Sequence, residues 1–196
     1  MVPADHIVVS HESTPMRQRQ PPAIVLSVHI DRAKTTKGRR MASELATGSK
    51  APDFTLPRDG GGSVSLGDFK GRKLVLYFYP KADTSGCTKE AVAFTALAPE
   101  FAKTGTAVLG VSADPVKALD DFKAKHQLGI PLASDETRKM LNAYGVWGPK
   151  SMYGRTYMGI TRATFLIGPD GRIAAVWPKV KIPGHAEAVL QAARAL

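Results

Sequence analysis

The stretch Lys73-Leu74-Val75-Leu76-Tyr77-Phe78-Tyr79-Pro80-Lys81-Ala82-Asp83-Thr84-Ser85-Gly86-Cys87-Thr88-Lys89-Glu90 carries three signals in one pass. Its first seven residues form a continuous β-prone run ended by Pro80, the pattern of a strand covered on both faces. A polar loop, residues 81–86, follows. Beyond it, apolar residues recur at Ala91, Phe94, Leu97, Ala98 and Phe101, which is helical spacing. The stretch therefore predicts a buried strand, a loop, and a helix that holds Cys87 in its first turn.

The signals on either side extend this unit. Residues 51–56 and 63–66 read as short strands flanking the turn Asp59-Gly60-Gly61-Gly62. Downstream, a strand is expected over 107–112, then helices over about 115–126 and 136–144, with Pro115 suited to a first helical turn. Residues 163–167 and 172–177 form a hairpin across Gly168-Pro169-Asp170-Gly171, and residues 184–195 form a last amphipathic helix. A crossover helix between the first two long strands requires them to be parallel. A strand–helix–strand–helix half followed by a hairpin and a helix is the thioredoxin-like arrangement. The fold class is α/β, with a central mixed sheet flanked by helices.

A chain of 196 residues with 43% hydrophobic content fits one domain, residues 47–196, with a tail to spare. Residues 1–46 differ: they hold Pro21-Pro22 and a basic run from Arg32 through Lys34 and Lys37 to Arg39-Arg40. We read them as a disordered, non-catalytic extension, with Met41 an alternative start. Their only strand-like run is 23–30, and they lack the layout of a secretory signal. The single cysteine forbids an internal disulfide and fits a reducing, cytoplasmic compartment. No Cys/His cluster has zinc-ligand spacing, no metal or cofactor is implied, and the longest apolar runs are too short to span a membrane. The net charge of +10 is spread along the chain without interleaved aromatic residues, so it reads as a solvated basic surface rather than a nucleic-acid site.

Cys87 has a functional and a structural reading. A lone cysteine is often a buried small hydrophobe. Its neighbours Gly86, Thr88, Lys89 and Glu90, small or polar, argue against that. Its place just past the carboxyl end of a strand is where open α/β sheets bind ligands. The amides of a helix N-terminus carry about half a positive charge and favour a thiolate, the nucleophilic form; a nearby guanidinium adds to this.

Pro80, Thr84 and Cys87 match the signature Pro-x-x-x-Thr-x-x-Cys, and the chain resembles the peroxiredoxins. The flanks Tyr77-Phe78-Tyr79-Pro80-Lys81 and Cys87-Thr88-Lys89-Glu90-Ala91 resemble the bacterioferritin-comigratory subgroup, as do four later runs. These are Tyr144-Gly145-Val146-Trp147-Gly148, Met152-Tyr153-Gly154, Gly159-Ile160-Thr161-Arg162 and Val176-Trp177-Pro178-Lys179-Val180. The likeness spans residues 48–196. It implies a thiol peroxidase that reduces hydrogen peroxide and organic hydroperoxides, with Cys87 as the peroxidatic nucleophile passing through a sulfenic acid. Thr84 would hydrogen-bond the peroxide; otherwise it is a helix cap, a role Ser85 also fits. Pro80 would shape the pocket, or simply end the strand. Arg162 would stabilise thiolate and polarise the peroxide bond, or stand as an exposed strand-edge residue. Glu90 would orient an arginine or pair on the side of Lys89.

Many members of this subgroup carry a resolving cysteine five residues after the first; here Val92 stands in that place. An external thiol is then required: thioredoxin, glutathione with glutaredoxin, or another small thiol. The alternative is a peroxide-sensing protein without efficient turnover. The subgroup likeness implies a monomer. Trp147, Tyr153 and Tyr157 are candidates for an apolar mouth, with plain packing as the alternative. The histidines at 6, 11, 29, 126 and 185 read as tail, surface or helix-terminal residues.

Overall fold

Each face of strand β3 (Lys73–Phe78) is apolar, and each face builds its own core. Leu74, Leu76 and Phe78 point one way; Val75, Tyr77 and the following Tyr79 point the other, as the two-residue period of a strand demands. The computed structural model describes residues 45–152 and 154–196, with Met152 described by its backbone alone. The expectations for residues 1–44, including the run 23–30 and three tail histidines, lie outside the described residues.

The central sheet has the order β5–β4–β3–β8–β9, with β4 spanning Thr106–Ser112, β5 Leu132–Ser134, β8 Ala163–Ile167 and β9 Ile173–Trp177. β3 runs parallel to β4, and β4 to β5. β8 pairs antiparallel with both β3 and β9, so the sheet is mixed. Helices α1 (Ser85–Lys103), α2 (Val116–His126) and α4 (His185–Ala195) bury Phe94, Phe101, Leu119, Phe122, Val189 and Leu190 against the Tyr77 face. The Phe78 face is covered by α3 (Lys139–Ala143), by the β1–β2 hairpin (Thr55–Pro57 and Ser63–Ser65) and by Tyr144.

Four elements depart from the expectation. β5 is only three residues long, and a buried run of that length has no periodicity to display. The strand pair β6 (Trp147–Met152) and β7 (Arg155–Ile160) was not expected. Its sequence holds Gly148, Pro149 and Lys150, and most of β7 faces solvent, so no apolar alternation marks it. The helix expected over 136–144 is shorter, because residues 135–138 form a turn in which Arg138 takes φ +61°.

One close approach holds the two central strands together. A methyl group at Gly110 of β4 would lie 2.6 Å from the Tyr77 ring and hydroxyl and 2.9 Å from Leu132. The fully buried Tyr77 ring therefore takes up the space a side chain would need. Gly110→Ala is expected to cost about 1–3 kcal/mol through overpacking, measured as a lowered urea midpoint at constant slope. An unchanged midpoint would show that the Tyr77 ring can move aside.

Candidate active site

The strand that carries the core also delivers the site. β3 ends at Phe78, Tyr79 N–H still bonds to Val111 O at 3.1 Å, and Pro80 then stops the ladder at an exposed position. The loop that follows turns through Asp83, a non-glycine residue at φ +58°. Thr84 is the N-cap of α1 by its extended backbone, yet its side chain caps no amide. Its hydroxyl donates instead to Lys81 O at 3.0 Å. Cys87 is thus the third residue of α1, at the end of the helix where amides lack intrahelical acceptors.

Cys87 is buried, at 1% exposure, within the apolar cluster beneath α1. This corrects the inference from its chain neighbours. On a helix, Cys87 shares a face with Glu90, Ala91 and Phe94, all buried, while Lys89 and Val92 turn outward. Adjacent residues are the wrong guide there.

Arg162 reaches the sulfur across the sheet. Because β8 runs antiparallel to β3 with Ala163 opposite Phe78, the residue just before β8 arrives at the end of β3, beside α1. Its backbone is pinned on both sides: Thr161 N–H donates to Val146 O at 2.7 Å, and Val180 N–H to Arg162 O at 3.2 Å. Arg162 Nη2 donates to Cys87 Sγ at 3.2 Å, while Nη1 donates to Glu90 Oε2. The Arg162 side chain is 15% exposed and that of Glu90 only 2%, so Arg162 is not a solvent-facing edge residue. Gly86 leaves room for this: a methyl there would meet Ile182 Cδ1 at 3.2 Å and Arg162 Nη2 at 3.5 Å.

Burial pushes the Glu90 carboxyl up to about 7, against the pull of Arg162. Its second oxygen, Oε1, and the hydroxyls of Tyr77 and Tyr79 are buried and find no hydrogen-bond partner among the described residues. Burial, with the neighbouring Tyr79, Glu90 and Cys87, also holds the Tyr77 phenol well above its usual range. Of the four expected site residues, Cys87 and Arg162 are in direct contact. Thr84 sits at the mouth of the same helix turn, and Pro80 at the exposed strand end.

His185 was expected as a surface or helix-terminal residue; it does start a helix, but it is buried, at 6% exposure. It opens α4, whose apolar face of Ala186, Val189, Leu190 and Ala193 begins with it. Its Nε2 lies 2.8 Å from Thr164 Oγ1, and its ring meets Phe94 and Trp177 edge-on. Burial and then Arg162 depress it to about 4. Of the aromatic candidates, Trp147 and Tyr157 do not join the apolar cluster of Cys87. Trp147 packs on the Phe78 face under Arg138, Tyr157 is exposed on β7, and Tyr153 lies outside the described residues. A surface cavity of about 610 Å³ lies at the far end of β3, lined by Lys50, Lys70, Leu74 and Asp170, and does not include Cys87. Among the described residues no group of three or more His, Cys, Asp or Glu is placed to hold a metal ion. No helix among them is long and apolar enough to cross a membrane.

The sequence model of the AhpC/TSA family matches residues 47–176. A putative peroxiredoxin Bcp of Coxiella burnetii is 50% identical over 146 residues, covering 74% of this chain and 97% of that protein. Peroxiredoxin Bcp of Escherichia coli K12 is 43% identical over 146 residues, covering 74% and 94%. Among solved structures, the bacterioferritin comigratory protein of Xanthomonas campestris, described for its alkyl peroxide reduction activity, aligns with a TM-score of 0.69. It is 46% identical, covering 72% of this chain and 90% of that one. A PrxQ mutant of Xylella fastidiosa aligns with a TM-score of 0.74 at 41% identity, covering 78% and 98%.

The two displaced titrations have opposite consequences for stability. A carboxyl raised from 4.5 to about 7 stabilises fully below 4.5, and its contribution is lost as pH rises through 7. A histidine lowered from 6.5 to about 4 contributes above 6.5 and loses that contribution as pH falls through 4. Relative to wild type, Glu90→Gln should therefore gain on the order of 2 kcal/mol between pH 4.5 and 7. His185→Gln should flatten the loss of stability on acidification by a similar amount. Urea unfolding at pH 4, 5.5 and 8 measures both, and parallel pH profiles in all three proteins would refute the assignments.

Proposed function

The chain belongs to the AhpC/TSA family and is a thiol-dependent peroxidase with a thioredoxin-like fold. On that premise we propose that Cys87 is its peroxidatic nucleophile, assisted by Arg162 and Thr84 in a mouth bounded by Pro80. The observation that carries this reading is the Arg162 Nη2–Cys87 Sγ contact of 3.2 Å at the first turn of α1. A guanidinium cannot accept a hydrogen bond, so it faces the sulfur as a donor, placed where negative charge on the sulfur would be held.

The thiolate attacks the terminal oxygen of a hydroperoxide; the S–O bond forms as the O–O bond breaks. The departing alkoxide, or hydroxide from hydrogen peroxide, takes up a proton and leaves as alcohol or water. The sulfur loses two electrons and becomes a sulfenic acid. Negative charge moves from sulfur to the leaving oxygen, and the Arg162 donors lie where it passes. The Thr84 hydroxyl, already donating to Lys81 O, has lone pairs left to accept from the O–H of the peroxide. The amides of the first turn, uncapped by a side chain, supply further donors.

Recycling needs a second molecule. Cys87 is the only cysteine, and position 92 is an exposed valine. An external thiol condenses with the sulfenic acid, releasing water and leaving a mixed disulfide. A second thiol then displaces Cys87 and is itself oxidised. Thioredoxin, or glutathione with glutaredoxin, fits this role in a cytoplasmic, monomeric enzyme. The family match beginning at residue 47 supports reading residues 47–196 as the peroxidase domain and residues 1–46 as an extension to it.

The test is peroxide consumption by purified protein supplied in turn with dithiothreitol, thioredoxin, and glutathione plus glutaredoxin. Cys87→Ser should abolish turnover. Arg162→Lys should slow the peroxide step about a hundredfold, and Thr84→Val roughly tenfold. Sustained turnover with one protein donor identifies the reductant. A single stoichiometric reaction with every donor would point to a peroxide sensor, and full activity in Cys87→Ser would overturn the proposal.

A further inference from the structure

The loop between β3 and α1 is held by a charged contact that the chemistry at Cys87 does not use. Asp83 stands in that loop in the left-handed region, which a non-glycine residue keeps only when its surroundings hold it. Its carboxylate accepts from Lys125 Nζ at 2.6 Å and meets His126 Nε2 at 2.6 Å. Both partners come from the last turn of α2. The His126 ring lies edge-on to Phe122, with centroids 5.3 Å apart, and Phe122 is itself buried. One arm of the contact is thus anchored in the core, which spares it the entropy cost that weakens ordinary surface pairs. The preceding residue is held too: Ala82 N–H donates to Asp114 Oδ2 at 2.8 Å.

Asp83 immediately precedes the N-cap Thr84, so whatever fixes Asp83 fixes the first turn of α1. The two half-reactions at Cys87 ask opposite things of that turn. The peroxide step needs it closed, with Sγ on Arg162. Reduction by an outside thiol needs an in-line approach to a sulfur that is 1% exposed, so the turn must first move away. A chain with no second cysteine depends on this movement in every cycle.

The geometry points to Asp83, with Lys125 and His126, as a positioning latch. It favours the closed turn that reacts with peroxide over the open one that an external thiol can enter. Ion pairs of this kind shift a two-state balance by about fivefold. The inference rests on the peroxidase reading of Cys87, but access to the sulfur can be measured without peroxide.

Three variants separate the latch from general loss of structure. Asp83→Asn removes the charge and keeps a residue that tolerates positive φ. Lys125→Met combined with His126→Gln breaks the contact from α2, leaving the loop sequence intact. Lys125→Arg preserves it. In each, three rates are measured: alkylation of reduced Cys87 by iodoacetamide, oxidation by hydrogen peroxide, and reduction of the oxidised protein by dithiothreitol. In both broken variants, alkylation and reduction should each rise about fivefold relative to oxidation, and Lys125→Arg should behave as wild type. Rates that stay unchanged, or that all move together in both broken variants, overturn the latch. A wild-type protein that is alkylated but does not react with peroxide overturns the peroxidase reading instead, and the alkylation rates then decide the latch alone.

Discussion

A single guanidinium shared between a sulfur and a carboxylate, in a space almost closed to water, sets the terms for the rest of this structure. Arg162 donates to Cys87 Sγ through one nitrogen and to Glu90 through the other. Buried charges are costly unless paired and fixed, and the members here are fixed by two separate segments. Cys87 and Glu90 lie one turn apart on α1. Arg162 is held by backbone bonds from Thr161 and Val180 to either side of the sheet edge. A methyl at Gly86 would press on Ile182 Cδ1 at 3.2 Å and touch the guanidinium at 3.5 Å. The arrangement aims one donor at the sulfur and the other at Glu90 Oε2, a hydrogen bond that keeps the arginine from turning away.

The sheet exists, in this view, to deliver two chain ends to one point. The parallel β3–β4 pair and the crossover through α1 place the helix N-terminus at the carboxyl edge of the sheet. The antiparallel β8 then returns to that same edge from 75 residues downstream. Tyr77, lodged over Gly110 and stacked on Phe94 with centroids 4.7 Å apart, ties the strand pair to the underside of α1. Burial of the sulfur follows from the same packing. On the proposed reading of Cys87, that burial protects the reactive atom and makes its recycling a question of how easily the first turn of α1 can open.

Much of this was legible in the residues themselves. β3, the loop, α1, the Gly168–Gly171 hairpin turn and α4 all announced themselves by periodicity or turn chemistry, because each is either buried on a regular face or bounded by Gly and Pro. β5 and the β6–β7 pair did not, the first for want of length and the second because exposed strands need no apolar alternation. Glu90 read as a residue that orients an arginine or pairs beside Lys89, with nothing to show its burial, and His185 read as an ordinary helix start. Both are buried, since helical rotation and the docking of α4 turn them inward.

The sequence by itself determined the strand–loop–helix unit that presents Cys87, the parallel crossover and the lack of any internal partner for the sulfur. These follow from local periodicity, chain connectivity and a count of cysteines. Only the tertiary structure decided that Arg162 and Glu90 meet at the sulfur, that Cys87 is buried rather than open, and that Asp83 is tethered to α2. Each depends on contacts between segments far apart in the chain or on which way a helix face turns. A neighbour along the chain does not have to be a neighbour in space.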